Sequence, residues 1–336
     1  MTEKNKILIR RPSISSGNVG DVALIETIRH EFKTQGIVYD IPNVKEIDEN
    51  NLDEYEYLVY FGNDSIAYWS ISESLIMNFL SCKKNVYIIN MSYGDSPKNK
   101  FIDKITEHEN LYLFVRDEHS LHLLTEKFNF CNEPTLVADL AHLCRTSAEN
   151  RDEKLEEWIV TSDKKIVGIN IHDDFGHDNK QVFDSVKTFI SNNKNTYRFL
   201  FIPHDSRKNE DKLMLKLVKG LDGVDYYSCG CMDAEYEKHI TKNLYFVITG
   251  RMHLAILTLP NKIPCITIEY AGVKALGSLS HWGIQDFALS SDNIDETLDV
   301  TIKKLETNYE QVVLELNKRY ETVMSLAKKQ LKWRMG

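Results

Sequence analysis

The sequence predicts an α/β protein made of two doubly wound domains, each built around a parallel β-sheet. Short apolar runs recur along the chain, and longer amphipathic segments separate them. Strands that alternate with helices rather than with tight hairpins are typical of parallel sheets covered on both faces. The alternation stops once, at a polar segment, and then starts again, which predicts two domains rather than one.

Five apolar runs in the first half of the chain predict the strands of the first sheet. A helix-like run at 22–32 follows the first strand after a short loop, and other helix-like stretches include 72–80 and 120–128. The predicted strands are 7–9, 57–61, 86–90, 111–115 and 135–138.

The charged segment 145–154 has no apolar periodicity and predicts a surface linker. Five further apolar runs follow it and predict a second sheet of similar size. We therefore place a first domain at 1–148 and a second at 149–306. The predicted strands of the second sheet are 166–171, 197–203, 224–227, 244–248 and 263–268, and helix-like stretches lie at 182–190, 212–218 and 234–240.

The apolar spacing from 294 to 333 predicts helix throughout. This stretch is too long to cover one small sheet, so we expect residues 307–336 to return and pack on the first domain. Two Rossmann-like domains that face a cleft, with a helix crossing back, resemble the GT-B architecture of glycosyltransferases. Such a fold does not determine the chemistry by itself.

Composition narrows the classes of function. The 336 residues carry a formal net charge of -9, which argues against a surface that binds nucleic acid, and any bound anion needs a local group of cations. Cys229 and Cys231 form a C-x-C pair with no second pair to complete a zinc site, so we expect no metal. The polar N-terminus and the lack of a long apolar stretch predict a cytoplasmic protein.

The basic tail 328–334 has two interpretations. It is suited to peripheral contact with an anionic membrane at the inner face of the plasma membrane. Cations are also favoured at any helix C-terminus, which explains the tail equally well.

The first candidate motif is Gly17-Asn18-Val19-Gly20-Asp21, between the first predicted strand and its helix. Small residues let the backbone approach a ligand, and the first amides of a helix favour polar or anionic groups. Asp21 is either a functional carboxylate or an ordinary N-cap of a helix that starts at residue 22. The G-x-x-G spacing fits neither a dinucleotide fingerprint nor a P-loop.

The second motif is Gly250-Arg251-Met252-His253, which also joins a predicted strand to a helix. The Arg251 guanidinium and the first helical amides can converge on one anion, and His253 lies two residues on, close enough to share it. The alternative is an arginine paired with a nearby carboxylate and a histidine packed in a helix face.

Other basic side chains also follow predicted strands. Because the carboxyl ends of parallel strands lie at one edge of a sheet, we expect these side chains to face a common crevice. Lys274, after the last strand, is either a further cation of this crevice or a solvated surface lysine. The others are Arg116, His172, His204 and Arg207.

These motifs resemble those of the polysaccharide pyruvyl transferases. The family's G-N-x-G-D-x-A-[LI] opening is matched by 17–24, and its R-x-H element is matched by Arg251 and His253. Tyr270 and Lys274 look like the aromatic residue and lysine that follow the next strand in the family. The likeness spans about residues 7–285.

One segment departs from the family pattern. The family's glycine-rich turn after the third strand is replaced here by Phe61-Gly62-Asn63-Asp64. We therefore expect either unusual acceptor recognition or altered activity.

The resemblance implies transfer of pyruvate from phosphoenolpyruvate to two hydroxyls of a sugar, which gives a cyclic ketal and phosphate. The acceptor would belong to a polysaccharide or its lipid-linked precursor, and no cofactor or metal is implied. His253 is the candidate general acid or a phosphate ligand, and Asp21 is the candidate base or a hydroxyl ligand. The remaining roles are donor binding by Arg251, Lys274, Met252, Arg116 and His204, and acceptor binding by Gly17, Asn18, Asn63 and Asp64.

Two alternatives stay open. A GT-B glycosyltransferase that uses a nucleotide sugar would need a carboxylate to hold the ribose, and Glu269 could play that part. A catalytically silent sugar-binding protein is the other alternative, and its support is the altered turn at Asn63-Asp64.

Overall fold

The predicted α/β fold class is confirmed by two six-stranded sheets in which all the paired strands are parallel. The structure is a computed structural model that describes residues 6–10, 17–42, 52–61, 73–93, 101–161, 163–171, 180–269 and 274–332. Contacts divide the chain into two compact units. The first comprises Met1–Ser15, Ile25–Leu140 and Met324–Gly336, and the second comprises Ser16–Leu24 and Ala141–Val323. The domain bounds 1–148, 149–306 and 307–336 stay predictions.

The first sheet has the strand order β2-β1-β3-β4-β5-β6. Its long strands are almost wholly buried, as expected of a parallel sheet with helices on both faces. The strands are β1 (Lys6–Arg10), β2 (Tyr39–Asp40), β3 (Tyr55–Phe61), β4 (Asn85–Met91), β5 (Leu111–Val115) and β6 (Thr135–Leu136). The helices are α1 (Val19–Gln35), α2 (Glu73–Ser81), α3 (Phe101–Ile105) and α4 (Glu118–Lys127), with a 3₁₀ turn at Leu140–Leu143.

The second sheet has the order β12-β11-β10-β7-β8-β9. The strands are β7 (Lys165–Asn170), β8 (Tyr197–Phe201), β9 (Tyr226–Ser228), β10 (Phe246–Thr249), β11 (Cys265–Glu269) and β12 (Ala288–Ser290). The helices are α5 (Glu153–Val160), α6 (Lys180–Asn193), α7 (Glu210–Val218), α8 (Ala234–Thr241), α9 (Met252–Thr258), α10 (Lys274–His281), α11 (Ile294–Thr307) and α12 (Tyr309–Lys329). Short 3₁₀ turns lie at Leu259–Asn261, Gln285–Phe287 and Ser291–Asn293.

The C-terminal segment, predicted to be helical throughout, consists of two helices, α11 and α12. The break falls at Asn308, whose side-chain amide donates to the carbonyl of Lys304 at 2.8 Å. Beyond α12, Gln330 is buried in the first unit. Its Oε1 accepts from the backbone amide of Asn90 at 2.9 Å, and its Nε2 donates to the Ala138 carbonyl at 2.8 Å.

No helix within the described ranges combines the length and the hydropathy needed to span a bilayer.

A buried lysine on α8 holds the chain segment that enters the second unit. The Lys238 ammonium donates to the carbonyls of His142 at 2.8 Å and Cys144 at 2.5 Å. Burial lowers the pKa of Lys238 from its ordinary value to about 8. The folded protein therefore releases this proton at a lower pH than the unfolded chain does.

We expect this lysine to make stability rise with pH. Between pH 8 and 10.5 the unfolded chain binds more protons than the folded one, so the free energy of unfolding increases, by at most about 3 kcal/mol. Denaturant unfolding across this pH window measures the free energy of unfolding of wild type and of Lys238→Met, and the effect is the difference between their slopes with pH. The variant Lys212→Met, at an exposed lysine, is the control and should follow the wild type. If the free energy of unfolding of wild type and of Lys238→Met changed equally with pH, the predicted contribution of this lysine would be contradicted.

Candidate active site

The candidate site lies at the carboxyl edge of the second sheet. In the order β12-β11-β10-β7-β8-β9 the chain winds one way from β7 to β9 and the other way from β10 to β12. The reversal between β7 and β10 is a topological switch point, which is where ligands bind in open α/β sheets. Asn170 ends β7, and Arg251 follows β10 by two residues.

Arg251 is held at this switch point by a buried carboxylate. Its Nε donates to Glu210 Oε1 at 2.7 Å, and its Nη2 is ion-paired with the same oxygen. Nη2 also lies 3.7 Å from Asp205 Oδ2. The Arg251 side chain is 13% exposed and that of Glu210 is fully buried. The guanidinium is therefore fixed in position before any ligand arrives.

Glu210 is the centre of the hydrogen-bond network. Its Oε2 accepts from the backbone amide of His204 at 2.7 Å and from Asn170 Nδ2 at 3.1 Å. Together with Arg251 these donors satisfy both oxygens of the carboxylate. The first residue of α7 thus joins the ends of β7, β8 and β10.

His204 is fully buried and pairs with a second carboxylate. Its Nδ1 lies 2.9 Å from Oε1 of Glu237, which is also fully buried, on α8. Among the described residues, His204 Nε2 and Glu237 Oε2 are buried without a hydrogen-bond partner. The pair is therefore an incompletely satisfied polar group inside the second unit.

Asp205 and Arg207 form a bidentate ion pair after β8. Arg207 donates from Nε to Oδ1 at 2.9 Å and from Nη2 to Oδ2 at 2.7 Å. Burial alone would raise the pKa of Asp205, but the Arg207 hydrogen bonds and the charges of Arg207 and Arg251 lower it overall. Hydrogen bonding to Asp205 raises the pKa of Arg207, and the charge of Asp21 adds to the effect. Asp21 thus lies within electrostatic range of this pair.

The glycine-flanked motif near the N-terminus packs on this same loop of the second unit. The Val19 amide donates to the His204 carbonyl at 3.0 Å, and the Ser206 amide donates to the Gly17 carbonyl at 2.9 Å. Gly17 has φ +63°, and a Cβ there would lie 2.4 Å from Ser206 Oγ. Glycine at this position is therefore required both by backbone conformation and by the close approach.

Gly20 connects the two candidate motifs. A Cβ at this position would lie 2.3 Å from Cγ and 2.4 Å from Nδ1 of His253. Such distances leave no room for any side chain unless the imidazole moves. The motifs at 17–21 and 250–253 therefore meet directly in the second unit.

The expectation that Asp21 is the N-cap of α1 is wrong. The helix begins at Val19, three residues earlier than expected, and Asp21 lies in its first turn. The Asn18 side chain accepts from the Gly20 amide at 2.8 Å, which satisfies one of the free amides at the helix start. Asp21 is therefore an acidic residue of the first helical turn and not the N-cap.

Arg116 lies in the first unit. It is buried and ion-paired with Asp139 at 2.8 Å, and its Nε donates to Ser92 at 2.7 Å. Asn90 Nδ2 donates to the same Asp139 oxygen at 3.1 Å. This network gives Arg116 a structural role, and its role in donor binding stays a prediction.

The edge of the sheet beyond β11 carries Glu269 and Lys274. Glu269 Oε1 accepts from the Leu276 amide at 2.9 Å and also from the Ala275 amide, so this carboxylate caps α10. Burial raises the pKa of Glu269. Lys274 is exposed at the first residue of α10, and Met252 is half-buried at the first residue of α9. Asn63, Asp64, His172 and Tyr270 lie outside the described residues.

The six cysteines differ in burial. Cys144, Cys229 and Cys265 are buried, whereas Cys82, Cys131 and Cys231 are exposed. In the part of the chain that the structure describes, no group of three or more His, Cys, Asp or Glu side chains could hold a metal ion.

Glu210 and Glu237 were not predicted from the sequence. At a helix N-terminus, Glu210 looks like an ordinary acidic first-turn residue. Glu237 could have been identified from its spacing. It lies three residues after Ala234 and four before Thr241, which places it on the buried face of α8. A charged residue at an apolar position of a helix indicates a buried partner.

Comparison with known proteins identifies the family of the chain. A model of the polysaccharide pyruvyl transferase family matches residues 18–272, about three quarters of the chain. A search of curated proteins matches a formate–tetrahydrofolate ligase of Bacillus pumilus at 24% identity over 118 residues, which are 35% of this chain. The chain spans about a fifth of that relative's length (21%), and the match carries no activity across.

Solved structures confirm the GT-B-like fold. The S. aureus MnaA–UDP co-structure superposes with a TM-score of 0.58 at 12% identity, over 98% of this chain and 97% of that one. A UDP-GlcNAc 2-epimerase from Neisseria meningitidis superposes with a TM-score of 0.56 at 11% identity, over 97% of this chain and 98% of that one. A glycosyltransferase from Rickettsia africae superposes with a TM-score of 0.53 at 12% identity, over 98% of this chain and 99% of that one. At such identities the likeness concerns the fold alone.

We expect Gly20→Ala to be strongly destabilising because its methyl group would overlap the His253 ring. Overpacking of this kind costs about 1–3 kcal/mol. Gly230→Ala is the matched control, since nothing lies within 4 Å of a Cβ at that position. Thermal unfolding of both variants measures the difference, and equal midpoints would contradict the close packing of residues 20 and 253.

Proposed function

This chain belongs to the polysaccharide pyruvyl transferase family, and we propose that it transfers pyruvate from phosphoenolpyruvate to two hydroxyls of a sugar. The product is a cyclic ketal, and phosphate is released. The acceptor is a sugar of a polysaccharide or of its lipid-linked precursor, reached in the cytoplasm at the inner face of the plasma membrane.

The packing of Gly20 against His253 carries the proposal. It joins two segments more than two hundred residues apart that both match family motifs. Arg251, two residues before His253, supplies a guanidinium fixed by Glu210. One site therefore holds a cation, an imidazole and a tightly packed helix start.

The charges of the site suit a small anion bound with help from several groups. Arg251 and Arg207 each already face a carboxylate, so neither is an isolated charge. We assign Arg251 to the donor phosphate or carboxylate, because an arginine binds either group with two parallel hydrogen bonds. Lys274 is exposed after the neighbouring strand β11 and supplies a second cation. Met252 and His204 complete the donor side.

The reaction needs one proton donor and one proton acceptor. The bond from the donor's C2 to its phosphate oxygen breaks, and two bonds form from C2 to sugar oxygens. The methylene carbon gains one proton and becomes a methyl group, while the second hydroxyl proton leaves with the phosphate. We assign protonation of the carbon to His253 and acceptance of a hydroxyl proton to Asp21.

Acceptor binding is assigned to Gly17 and Asn18, together with Asn63 and Asp64. Asn18 accepts from the Gly20 amide with its side-chain oxygen at the start of α1. Donor binding by Arg116, in the first unit, stays a prediction.

A nucleotide-sugar glycosyltransferase is the competing function. The S. aureus neighbour was solved with UDP, and this reaction would need a carboxylate for the ribose. Glu269, the candidate for that contact, is engaged by two amides of α10. The use of Glu269 as a helix cap favours the pyruvyl transfer.

We expect purified protein to bind phosphoenolpyruvate through Arg251. Arg251→Lys keeps a charge opposite Glu210 but loses the planar fork, and calorimetry should give at least about tenfold weaker binding. The surface variant Arg151→Lys is the control, since that arginine is largely exposed. A wild-type protein that does not bind phosphoenolpyruvate would contradict the proposal.

Ligand stabilisation should separate the two candidate reactions. A ligand that binds only the folded state raises the midpoint of thermal unfolding, so phosphoenolpyruvate should raise it and UDP-GlcNAc should not. His253→Asn should retain the phosphoenolpyruvate shift if the imidazole is the acid and lose it if the imidazole binds phosphate. The opposite ligand preference in the wild type would favour the glycosyltransferase.

A further inference from the structure

The polar network around Glu210 has atoms at its rim that none of the assigned roles uses. Asn170 Nδ2 donates to the Ile202 carbonyl at 2.8 Å and to Glu210 at 3.1 Å. Because both partners are acceptors, the orientation of the amide is fixed and Oδ1 is the remaining atom. Among the described residues, this oxygen is buried and accepts no hydrogen bond.

The His204–Glu237 pair also contains buried polar atoms without hydrogen-bond partners among the described residues. His204 Nδ1 and Glu237 Oε1 satisfy each other at 2.9 Å, and both side chains are fully buried. His204 Nε2 and Glu237 Oε2 remain without partners in the described part of the chain. Buried polar atoms of native proteins are normally satisfied, so a ligand or bound water is expected at such atoms.

The chemistry of these atoms selects the class of ligand. Glu237 Oε2 and Asn170 Oδ1 can only accept hydrogen bonds, and they therefore require a donor. Phosphoenolpyruvate offers phosphate and carboxylate oxygens, which are acceptors and would be repelled by a carboxylate. A sugar hydroxyl both donates and accepts, so hydroxyl groups suit both the open oxygens and the open nitrogen of this set.

We propose that Asn170, His204 and Glu237 form a hydroxyl-recognition subsite for a polyhydroxylated ligand beside Arg251. This subsite moves His204 from the donor side to the acceptor side of the reaction. Its identification with the acceptor rests on the proposed function, whereas sugar binding itself does not.

The first test uses the wild-type protein and two matched probes. Ligand-observed NMR compares a panel of methyl glycosides of glucose, galactose and mannose with their fully O-methylated ethers. The ethers keep the oxygen acceptors and lose every donor. We expect at least one glycoside to bind and its ether not to bind. Failure of all the glycosides, or equal binding of the ethers, would overturn the subsite and leave buried water as the occupant.

The second test locates the binding. Glu237→Gln preserves size but places a donor where the open acceptor stood, and we expect about tenfold weaker glycoside binding. Glu235→Gln, two residues earlier on the same helix, should leave binding unchanged. Binding of inorganic phosphate, which is assigned to Arg251, should persist in both variants. Loss of phosphate binding with retained glycoside binding in Glu237→Gln would overturn the proposal.

Failure of the subsite and failure of the proposed function give different results. Glycoside binding that depends on Glu237, in a protein that never binds phosphoenolpyruvate, supports the subsite and contradicts pyruvyl transfer. Phosphoenolpyruvate turnover with an unchanged acceptor KM in Glu237→Gln supports the transfer and overturns the subsite.

Discussion

One buried charge determines the arrangement of the candidate site. A carboxylate removed from water is costly unless it is neutralised and its lone pairs are occupied. Glu210 meets both conditions with Arg251, the His204 amide and Asn170. These donors come from three different strand ends, so pairing the one carboxylate fixes the ends of β7, β8 and β10 relative to each other.

Much of the fold could be predicted because buried parallel strands leave a strong mark on a sequence. The long strands are nearly continuous apolar runs, and each was found from that signal. The edge strands β2 and β12 were missed, although the equally short edge strands β6 and β9 were found within the apolar runs 135–138 and 224–227. The break at Asn308 was missed because the apolar spacing continues past it.

The site was predicted only in part, and the reason is electrostatic. A position after a strand can be inferred from sequence, which is how Arg251, His204 and Arg207 were found. The carboxylate that each one meets is distant along the chain or hidden among ordinary acidic residues, as Glu210 and Glu237 are. Local pattern cannot separate a solvated glutamate from a buried one. The cations were therefore predicted without the partners that hold them.

The contact between Gly20 and His253 has a consequence for how this protein can evolve. With the imidazole in place, a methyl group at residue 20 meets an occupied volume, whereas a smaller residue at 253 would make room for it. The two positions are thus epistatic, and the order of substitution matters. A lineage that gives up the histidine first can later lose the glycine, but the reverse route passes through an overpacked intermediate. Drift at residue 20 is therefore expected to trail the loss of the histidine in any descendant.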